Sequence, residues 1–287
     1  MTMLIRNLAN VVSLIVVVTV LPRTAEAGAW TQPKGHTYSR STIASYQATT
    51  HFDEGGNKAD GDFFSSNGEF ANTQFTQILE YGYHEDWTLL GSIVFKSISA
   101  DKRVGRTDDK VFGPGDLTLG VRRALLRGPI VAAIQGQVEL PAGYNADRQD
   151  YALGAGEANV DLRAQVGGGL SVLPSWWNLE AGYRFRGGRF SDDFVFGAAL
   201  GVEVIPRVWG RIGFSGVDNL KSGATGAIED GVVVEDPTMS ASYFSLGGAL
   251  TYQLNERINL ELGMSGEQAG KNTFAGRGID FTVEIRN

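Results

Sequence analysis

The sequence predicts an all-β fold, a transmembrane antiparallel up-and-down β-barrel of twelve strands. Three observations support this prediction: a short apolar segment at the N-terminus, apolar–polar alternation through most of the remaining chain, and connections that are short and long in turn. After the first segment, no apolar run approaches the roughly 20 residues that a membrane helix needs. Because only helices and closed barrels satisfy their backbone hydrogen bonds in lipid, a membrane-embedded form of this chain must be a barrel.

Residues 1–27 have the features of a signal peptide. Arg6 supplies a positive charge before an apolar run over residues 8–21, and the triplet Ala25–Ala27 has the small–any–small pattern of a cleavage site. The run has 14 residues, which is short for a spanning helix. We therefore expect cleavage after this triplet and a barrel domain over residues 28–287. An uncleaved N-terminal anchor is the alternative.

The composition excludes several other classes of protein. The net charge is −7 and becomes −8 when residues 1–27, with two Arg and one Glu, are removed, so a basic nucleic-acid-binding surface is not expected. The chain has no cysteine and therefore neither disulfides nor thiolate sites. Glycine is abundant, at 38 of 287 residues, and glycine within strands marks the bends at which a sheet curves and closes.

The alternation is clearest at the C-terminus. Four apolar side chains share one face of a strand and four polar side chains share the other: Ile279, Phe281, Val283 and Ile285 against Asp280, Thr282, Glu284 and Arg286. A helix would scatter both sets around its axis, whereas a strand collects each set on one side. The same pattern predicts twelve strands, over residues 36–49, 69–83, 87–99, 115–126, 130–140, 157–172, 176–187, 193–204, 208–217, 241–254, 257–266 and 274–286.

The connections between these strands alternate between two kinds. Five are short, around residues 84–86, 127–129, 173–175, 205–207 and 255–257. Six are polar and mostly longer, over residues 50–68, 100–114, 141–156, 188–192, 218–240 and 267–273. Short periplasmic turns, longer external loops and an even number of strands are typical of outer-membrane barrels. The spacing therefore predicts twelve strands with both termini on the side of the short turns.

Charged side chains recur in the middle of the predicted strands, on the polar face. In a membrane barrel this face lines the lumen and the apolar face meets lipid. The candidate lumen-lining and binding residues are Arg122, Glu139, Asp161, Arg163, Glu180, Arg184, Glu203, Arg211 and Glu261. A soluble β-sandwich that exposes the same side chains to water is the alternative.

Aromatic residues favour the membrane interpretation. One group lies beside the short connections and a second lies toward the long ones, as expected for bands at the two interfaces of a bilayer. The first group is Trp87, Trp176, Trp177, Trp209 and Tyr252, and the second is Phe95, Phe185, Phe194, Tyr243, Phe244 and Phe274.

The inward charges allow two functional interpretations. The lumen of a barrel of about twelve strands is narrow, so its charges must pair or be hydrated. In the first interpretation they neutralise one another and stabilise the barrel. In the second, rows of Arg and Glu line a pore and orient polar or aromatic solutes.

No motif in the sequence predicts catalysis. Among the three histidines, His84 lies in a predicted turn with no serine at the spacing of an outer-membrane hydrolase, and neither a phosphate loop nor a dinucleotide fingerprint is present. Acidic residues in the first long connection offer oxygen ligands, but Phe64 stands where an EF-hand needs a third one. We therefore expect no enzyme activity, no cofactor and no metal site.

Two segments resemble a known family. Residues Gly28–Gly35, directly after the cleavage site, match a "GAWxxPxG" start, and Gly115–Arg122 match a strand of the form "GD-hydrophobic-x-hydrophobic-G". Both are similar to elements of the outer-membrane proteins grouped as the MetA-pathway phenol-degradation family. The resemblance implies an outer-membrane barrel, sometimes named a transporter, that is associated with the breakdown of aromatic compounds. It implies no catalytic residue.

The expected function is passive uptake or exchange of small solutes, which the resemblance extends to aromatic ones. The alternative is a structural or adhesive outer-membrane barrel with a plugged lumen and functional external loops. The expected partners are outer-membrane lipid, the barrel-assembly machinery and a small-molecule solute. One departure concerns assembly: many such barrels end in an aromatic residue, whereas this chain ends with Asn287.

This prediction has a direct test of location. The mature protein should fractionate with outer membranes, and its electrophoretic mobility should change on boiling, because a closed barrel resists detergent until it is heated. Recovery as a soluble periplasmic monomer would contradict the membrane barrel.

Overall fold

The computed structural model describes residues 28–60, 69–100, 109–144, 153–170, 173–188, 190–220, 227–229, 232–234 and 241–287. The predicted signal peptide lies outside this part of the chain. Within the described residues, no helix is both long enough and apolar enough to span a membrane.

Twelve long strands form a closed antiparallel barrel in which each strand pairs with its neighbours in the sequence. The strands are β1 Thr37–Ala48, β2 Phe70–His84, β3 Trp87–Ala100, β4 Asp109–Leu126, β5 Ile130–Pro141, β6 Asn159–Gly168, β7 Ser175–Arg186, β8 Asp193–Ile205, β9 Val208–Asn219, β10 Ser242–Gln253, β11 Ile258–Lys271 and β12 Arg277–Arg286. The predicted fold class and strand number are confirmed. The soluble sandwich is wrong, because the sheet closes on itself.

Closure depends on β1, which pairs with strands from both ends of the chain. Thr42 lies opposite Thr282 of β12 on one side and opposite Thr76 of β2 on the other. The barrel therefore has no open edge, and the strand backbone can satisfy its hydrogen bonds within the sheet.

Several strand ends differ from the prediction. β4 begins at Asp109 rather than at 115, and β11 continues to Lys271 rather than ending at 266. Both additions lie toward the long-loop end. There both faces of a strand can meet water, so no apolar–polar alternation marks the strand. β12 begins at Arg277 rather than at 274, because Phe274 pairs with His51 in a separate small sheet.

That small sheet lies on the long-loop side. It contains Thr50–Phe52, Lys58–Asp60 and Thr273–Phe274, which pair as three short antiparallel strands. The Phe274 ring stacks on the Phe70 ring with centroids 4.1 Å apart. The first and last long loops are thereby joined to each other and to the start of β2.

The outer face of the barrel is apolar in alternate positions. On β11, Leu262 and Met264 are 63% and 66% exposed, whereas Glu261 is 1% exposed. The same contrast recurs around the barrel, for example between the exposed Leu162 and the buried Asp161. A water-soluble chain does not present so much contiguous apolar surface, whereas a membrane barrel presents it to lipid.

The aromatic bands are confirmed in part. Toward the long-loop end, Phe194, Phe196, Phe214 and Phe244 form a continuous cluster on the outer face, with successive ring centroids 5.5 to 6.4 Å apart. Toward the short turns, Trp87 and Tyr252 are exposed on the outer face.

For two tryptophans, the prediction of a place in the aromatic band at the lipid interface was wrong. Trp176 and Trp209 line a cavity inside the barrel. Both stand at even steps from inward charged residues of their strands, Glu180 and Arg211, so strand alternation turns them inward. Their position beside a short turn indicated how far along the barrel axis they lie. It did not indicate whether they face lipid or the lumen.

A charged residue on the lipid-facing surface should cost more stability near the middle of the membrane than near its interface. Met264 lies opposite Gly248, midway along β10 between Tyr252 and Phe244. We expect Met264→Arg to destabilise the barrel by about 2–4 kcal/mol, and Leu254→Arg in the adjacent short turn by about 0–1 kcal/mol. Urea unfolding in lipid vesicles measures both values. Equal costs would contradict the assigned membrane position.

Candidate functional site in the barrel interior

The inward face of β9 to β1 is organised around Glu261. Its Oε1 lies 2.8 Å from Nη2 of Arg211 and 3.0 Å from Nη2 of Arg40, and its Oε2 accepts a hydrogen bond from the Thr251 hydroxyl at 2.9 Å. The Glu261 side chain is fully buried. Two guanidinium groups and a hydroxyl offset the cost of burying this carboxylate, and they connect β1, β9, β10 and β11.

A second buried carboxylate, Glu284, extends this cluster. It accepts hydrogen bonds from the Tyr38 hydroxyl at 2.7 Å and from Asn259 Nδ2 at 3.2 Å. Arg286 lies 3.5 Å away from it and also places its guanidinium carbon 5.5 Å from the centroid of the Tyr38 ring. The two carboxylates therefore lie behind guanidinium groups rather than facing the open lumen.

A second network joins β6 and β7. Asp161 is bound by Arg184 Nε and by Arg163 Nη2, each at 2.7 Å, and Arg163 Nη1 lies 3.3 Å from Glu180 Oε1. The Asp161 side chain is 3% exposed, whereas the side chains of Arg163, Glu180 and Arg184 are 19%, 27% and 25% exposed. The central acid is buried, and its partners keep part of their surface open to the lumen.

In the N-terminal segment, residues 28–36, the first five residues lie inside the barrel and the last four are exposed. The Gln32 backbone N–H donates to the Thr88 hydroxyl, and the Gln32 side chain donates to Glu80, both at 2.8 Å. Arg122 donates to the Trp30 carbonyl at 2.9 Å and pairs with Glu80 at 3.2 Å. The segment is therefore bonded to β2, β3 and β4.

The start of the segment reaches the opposite part of the wall. The Ala29 N–H donates to Asn178 of β7 at 3.3 Å, and Ala29 is 1% exposed. The Trp30 ring lies so close to Gly167 of β6 that a Cβ at this position would be 2.5 Å from it. The segment thus crosses the short-turn end of the lumen, from the start of β1 to β7.

At the long-loop end, the described residues of the third long connection are bonded to Asp116 on the inner face of β4. Leu153 is 1% exposed, the Ala155 N–H donates to Asp116 at 2.8 Å, and the Tyr144 hydroxyl donates to the same carboxylate. Burial and the hydrogen bond to Asp116 raise the pKa of Tyr144, so its hydroxyl stays protonated as a donor at neutral pH. On the adjacent wall, Glu139 accepts a weak hydrogen bond from Asn159 at 3.4 Å.

A cavity of about 550 Å³ lies at the short-turn end, along β7 to β12. Its lining includes Trp176, Trp209, Arg207, Arg211, Arg286 and Glu203. The Trp176 ring lies against Gly201, where a Cβ would be 2.2 Å from Nε1. Glu203 accepts a hydrogen bond from the Arg207 backbone N–H at 3.0 Å. The docked N-terminal segment and this cavity therefore occupy different parts of the same mouth.

The nine predicted lumen residues fall into five places. Arg122 binds the N-terminal segment; Arg211 and Glu261 belong to the first cluster; Asp161, Arg163, Glu180 and Arg184 form the second; Glu139 lies near the long-loop end; and Glu203 lines the cavity. Their contact with a solute stays a prediction.

Sequence reasoning missed Arg40 and Glu80. Glu80 alternates with Leu79 and Tyr81, so the rule used for the other strands would have found it. Arg40 stands between Ser39 and Ser41, where no contrast between apolar and polar residues marks the faces.

The described residues contain no group of three or more histidine or acidic side chains arranged to hold a metal ion. In the first long loop, Asp53 instead accepts hydrogen bonds from the Asn57 backbone and side chain, and the backbone bond at 2.7 Å lowers the pKa of this carboxyl.

Solved structures that are similar in fold include outer-membrane proteins. The COG4313 outer membrane channel from Pseudomonas putida F1 matches with a TM-score of 0.70 at 16% identity, over 92% of this chain and 100% of that one. The NanC porin gives 0.51 at 6% identity, over 86% and 98%. The translocator domain of autotransporter NalP from Neisseria meningitidis gives 0.50 at 11% identity, over 89% and 90%. No protein-family model and no curated protein matches the sequence.

The chain is an outer-membrane-type β-barrel. At these identities the likeness establishes the fold alone. The match to the COG4313 channel supports, at the level of fold, the resemblance to the MetA-pathway phenol-degradation family.

From the cluster around Glu261 we expect that replacing this carboxylate by an uncharged amide lowers the stability of the barrel substantially. Glu261→Gln removes the anion that Arg40 and Arg211 share, so we expect a loss of about 3 kcal/mol in unfolding free energy. Glu256→Gln, in the exposed turn before β11, is the matched control and should be near neutral. Urea unfolding gives the free energy of unfolding of both variants. Equal values would show that Glu261 does not stabilise the barrel through Arg40 and Arg211.

Proposed function

We propose that the chain is a passive outer-membrane channel that takes up or exchanges small solutes. The observation that carries the proposal is the cavity of about 550 Å³ at the short-turn mouth, beside the docked N-terminal segment. The barrel wall excludes lipid, and the inward polar side chains give a solute hydrogen-bonding partners along the lumen. This role requires no enzymatic step and no cofactor.

The proposal includes secretion through the inner membrane with removal of residues 1–27. Gly28 lies against Asn178 inside the barrel, where a Cβ would be 2.7 Å from Asn178 Oδ1. An attached leader would have to turn back out of the lumen at this point, so cleavage before Gly28 fits the docked segment. The barrel-assembly machinery would then insert the chain, and outer-membrane lipid would surround its apolar face.

Partial exposure suggests which predicted residues contact solute. The side chains of Arg163, Glu180, Arg184 and Arg211 are 19–27% exposed although each is paired. Asp161 and Glu261 are buried behind them. We assign the exposed set to the solute pathway and the buried acids to holding it in position. The resemblance to a phenol-degradation family favours aromatic solutes among those that pass.

A structural or adhesive role is the second candidate. The extensive pairing of inward charges and the docked segment favour a plugged lumen, and the small external sheet of Thr50–Phe52, Lys58–Asp60 and Thr273–Phe274 offers a contact surface. Conductance of the purified protein separates the two candidates.

The N-terminal segment supplies the test. In planar bilayers we expect small, stable conductance steps from the native protein and larger steps from a Trp30→Gly, Gln32→Gly variant, because the side-chain contacts at β2 and β6 are lost. Arg122 and Glu80 still pair with each other in this variant, so the barrel wall should stay closed.

Lys34→Ala is the matched control, since Lys34 is an exposed residue of the same segment. It should leave the conductance unchanged. Absence of conductance from both the native protein and the double variant would contradict a channel and favour the plugged barrel.

A further inference from the structure

At the short-turn end of the lumen, the cavity is lined by different strands from those that the N-terminal segment covers. The segment contacts β2, β3, β4, β6 and β7, and the cavity lies along β7 to β12. Any solute that passes this end while the segment is docked is therefore directed along the cavity wall. The side chains of that wall determine what is favoured there.

The cavity wall presents more hydrogen-bond donors than anionic acceptors. Arg207, Arg211 and Arg286 line it. The carboxylates that pair with the last two, Glu261 and Glu284, are fully buried behind them. The lining also contains Glu203 and Glu256, so three arginines and two glutamates line the space.

Two indole rings supply the apolar part of the wall. Trp176 and Trp209 come from β7 and β9, two strands apart in the sheet, and both face the cavity. Trp176 is held against Gly201, which has no side chain to displace the ring. Flat aromatic surfaces favour offset or edge contacts with another planar ring, and guanidinium groups bind carboxylates through paired hydrogen bonds.

We infer that this cavity is a binding site for small aromatic carboxylates, with the ring against Trp176 and Trp209 and the carboxylate on Arg207 and its neighbouring guanidinium groups. The inference rests on the proposed channel function and names the class of solute that its mouth selects. A volume of about 550 Å³ lies within the range of small-molecule sites, and it leaves a one-ring acid room to enter and leave.

The test uses benzoate as the probe, with acetate and benzyl alcohol as controls for the charge and the ring alone. Single-channel current through the full mature barrel is recorded while each compound is added on the side of the short turns. Benzoate should half-block the current at a concentration at least about tenfold lower than either control, because only benzoate engages both parts of the site. Equal potency of benzyl alcohol or of acetate would overturn the assignment.

Adjacent tryptophans provide a matched pair of variants. Trp176 faces the cavity, and Trp177 takes the alternate face of the same strand. Trp176→Leu should raise the half-blocking concentration about threefold to tenfold, and Trp177→Leu should leave it unchanged. Trp209→Leu serves as a second inward variant if Trp176→Leu fails to fold. Equal effects of inward and outward substitutions would place the block elsewhere.

Arg207 tests the carboxylate contact. It lies in the exposed turn between β8 and β9, so Arg207→Gln removes a charge without stranding a buried partner. Block by benzoate should weaken about tenfold, while block by benzyl alcohol should not change.

Failure of the channel function is distinguishable from failure of the site. If the native barrel does not conduct, calorimetric titration of benzoate into the same protein in detergent measures binding without transport. Conductance without selective block or binding by benzoate would overturn the ligand class and leave the channel proposal intact.

Discussion

The constraint on which the rest of the structure depends is that a sheet in lipid must leave no backbone hydrogen bond unpaired. The chain meets it by pairing β1 with both β2 and β12, so that its first and last strands close the wall. Closure has a second consequence. Every strand then has one face toward lipid and one toward a narrow interior, and the polar residues excluded from lipid are concentrated in that interior.

Concentrated charges in a narrow lumen must neutralise one another, because the low-dielectric wall strengthens their fields. Glu261 and Asp161 each meet two arginines from other positions on the wall, and both acids are buried while the arginines remain partly open. The acids therefore hold the guanidinium groups in position, and in the proposed channel those groups form the surface that a passing solute would meet. A stabilising network and a solute pathway are compatible within the same residues.

The sequence predicted the barrel well where the membrane imposes a contrast between two faces. It predicted all twelve strands, and the alternation that exposes Leu262 and buries Glu261 was visible in the sequence. It failed where that contrast is absent: in the ends of β4 and β11 beyond the apolar band and at Arg40, which has serine on both sides. The N-terminal segment could not be predicted because it docks through isolated contacts, such as the hydrogen bonds of Gln32 and the Trp30 ring against Gly167, which leave no periodic pattern.

The docked N-terminal segment occupies one side of the lumen at its short-turn end, so the remaining opening is off-centre. A closed barrel alone would offer one central passage, but residues 28–36 are bonded to the wall from β2 to β7 and leave the cavity along β7 to β12. Trp176 and Trp209 are turned inward in this second part, although their place near the short turns suggested an interface with lipid. In the proposed channel, an off-centre mouth would bring a solute close to one wall of the barrel rather than leave it in the middle of the lumen. Short-range contacts, such as stacking on indole and hydrogen bonds to guanidinium, can then act on solutes too small to be sorted by the width of the barrel.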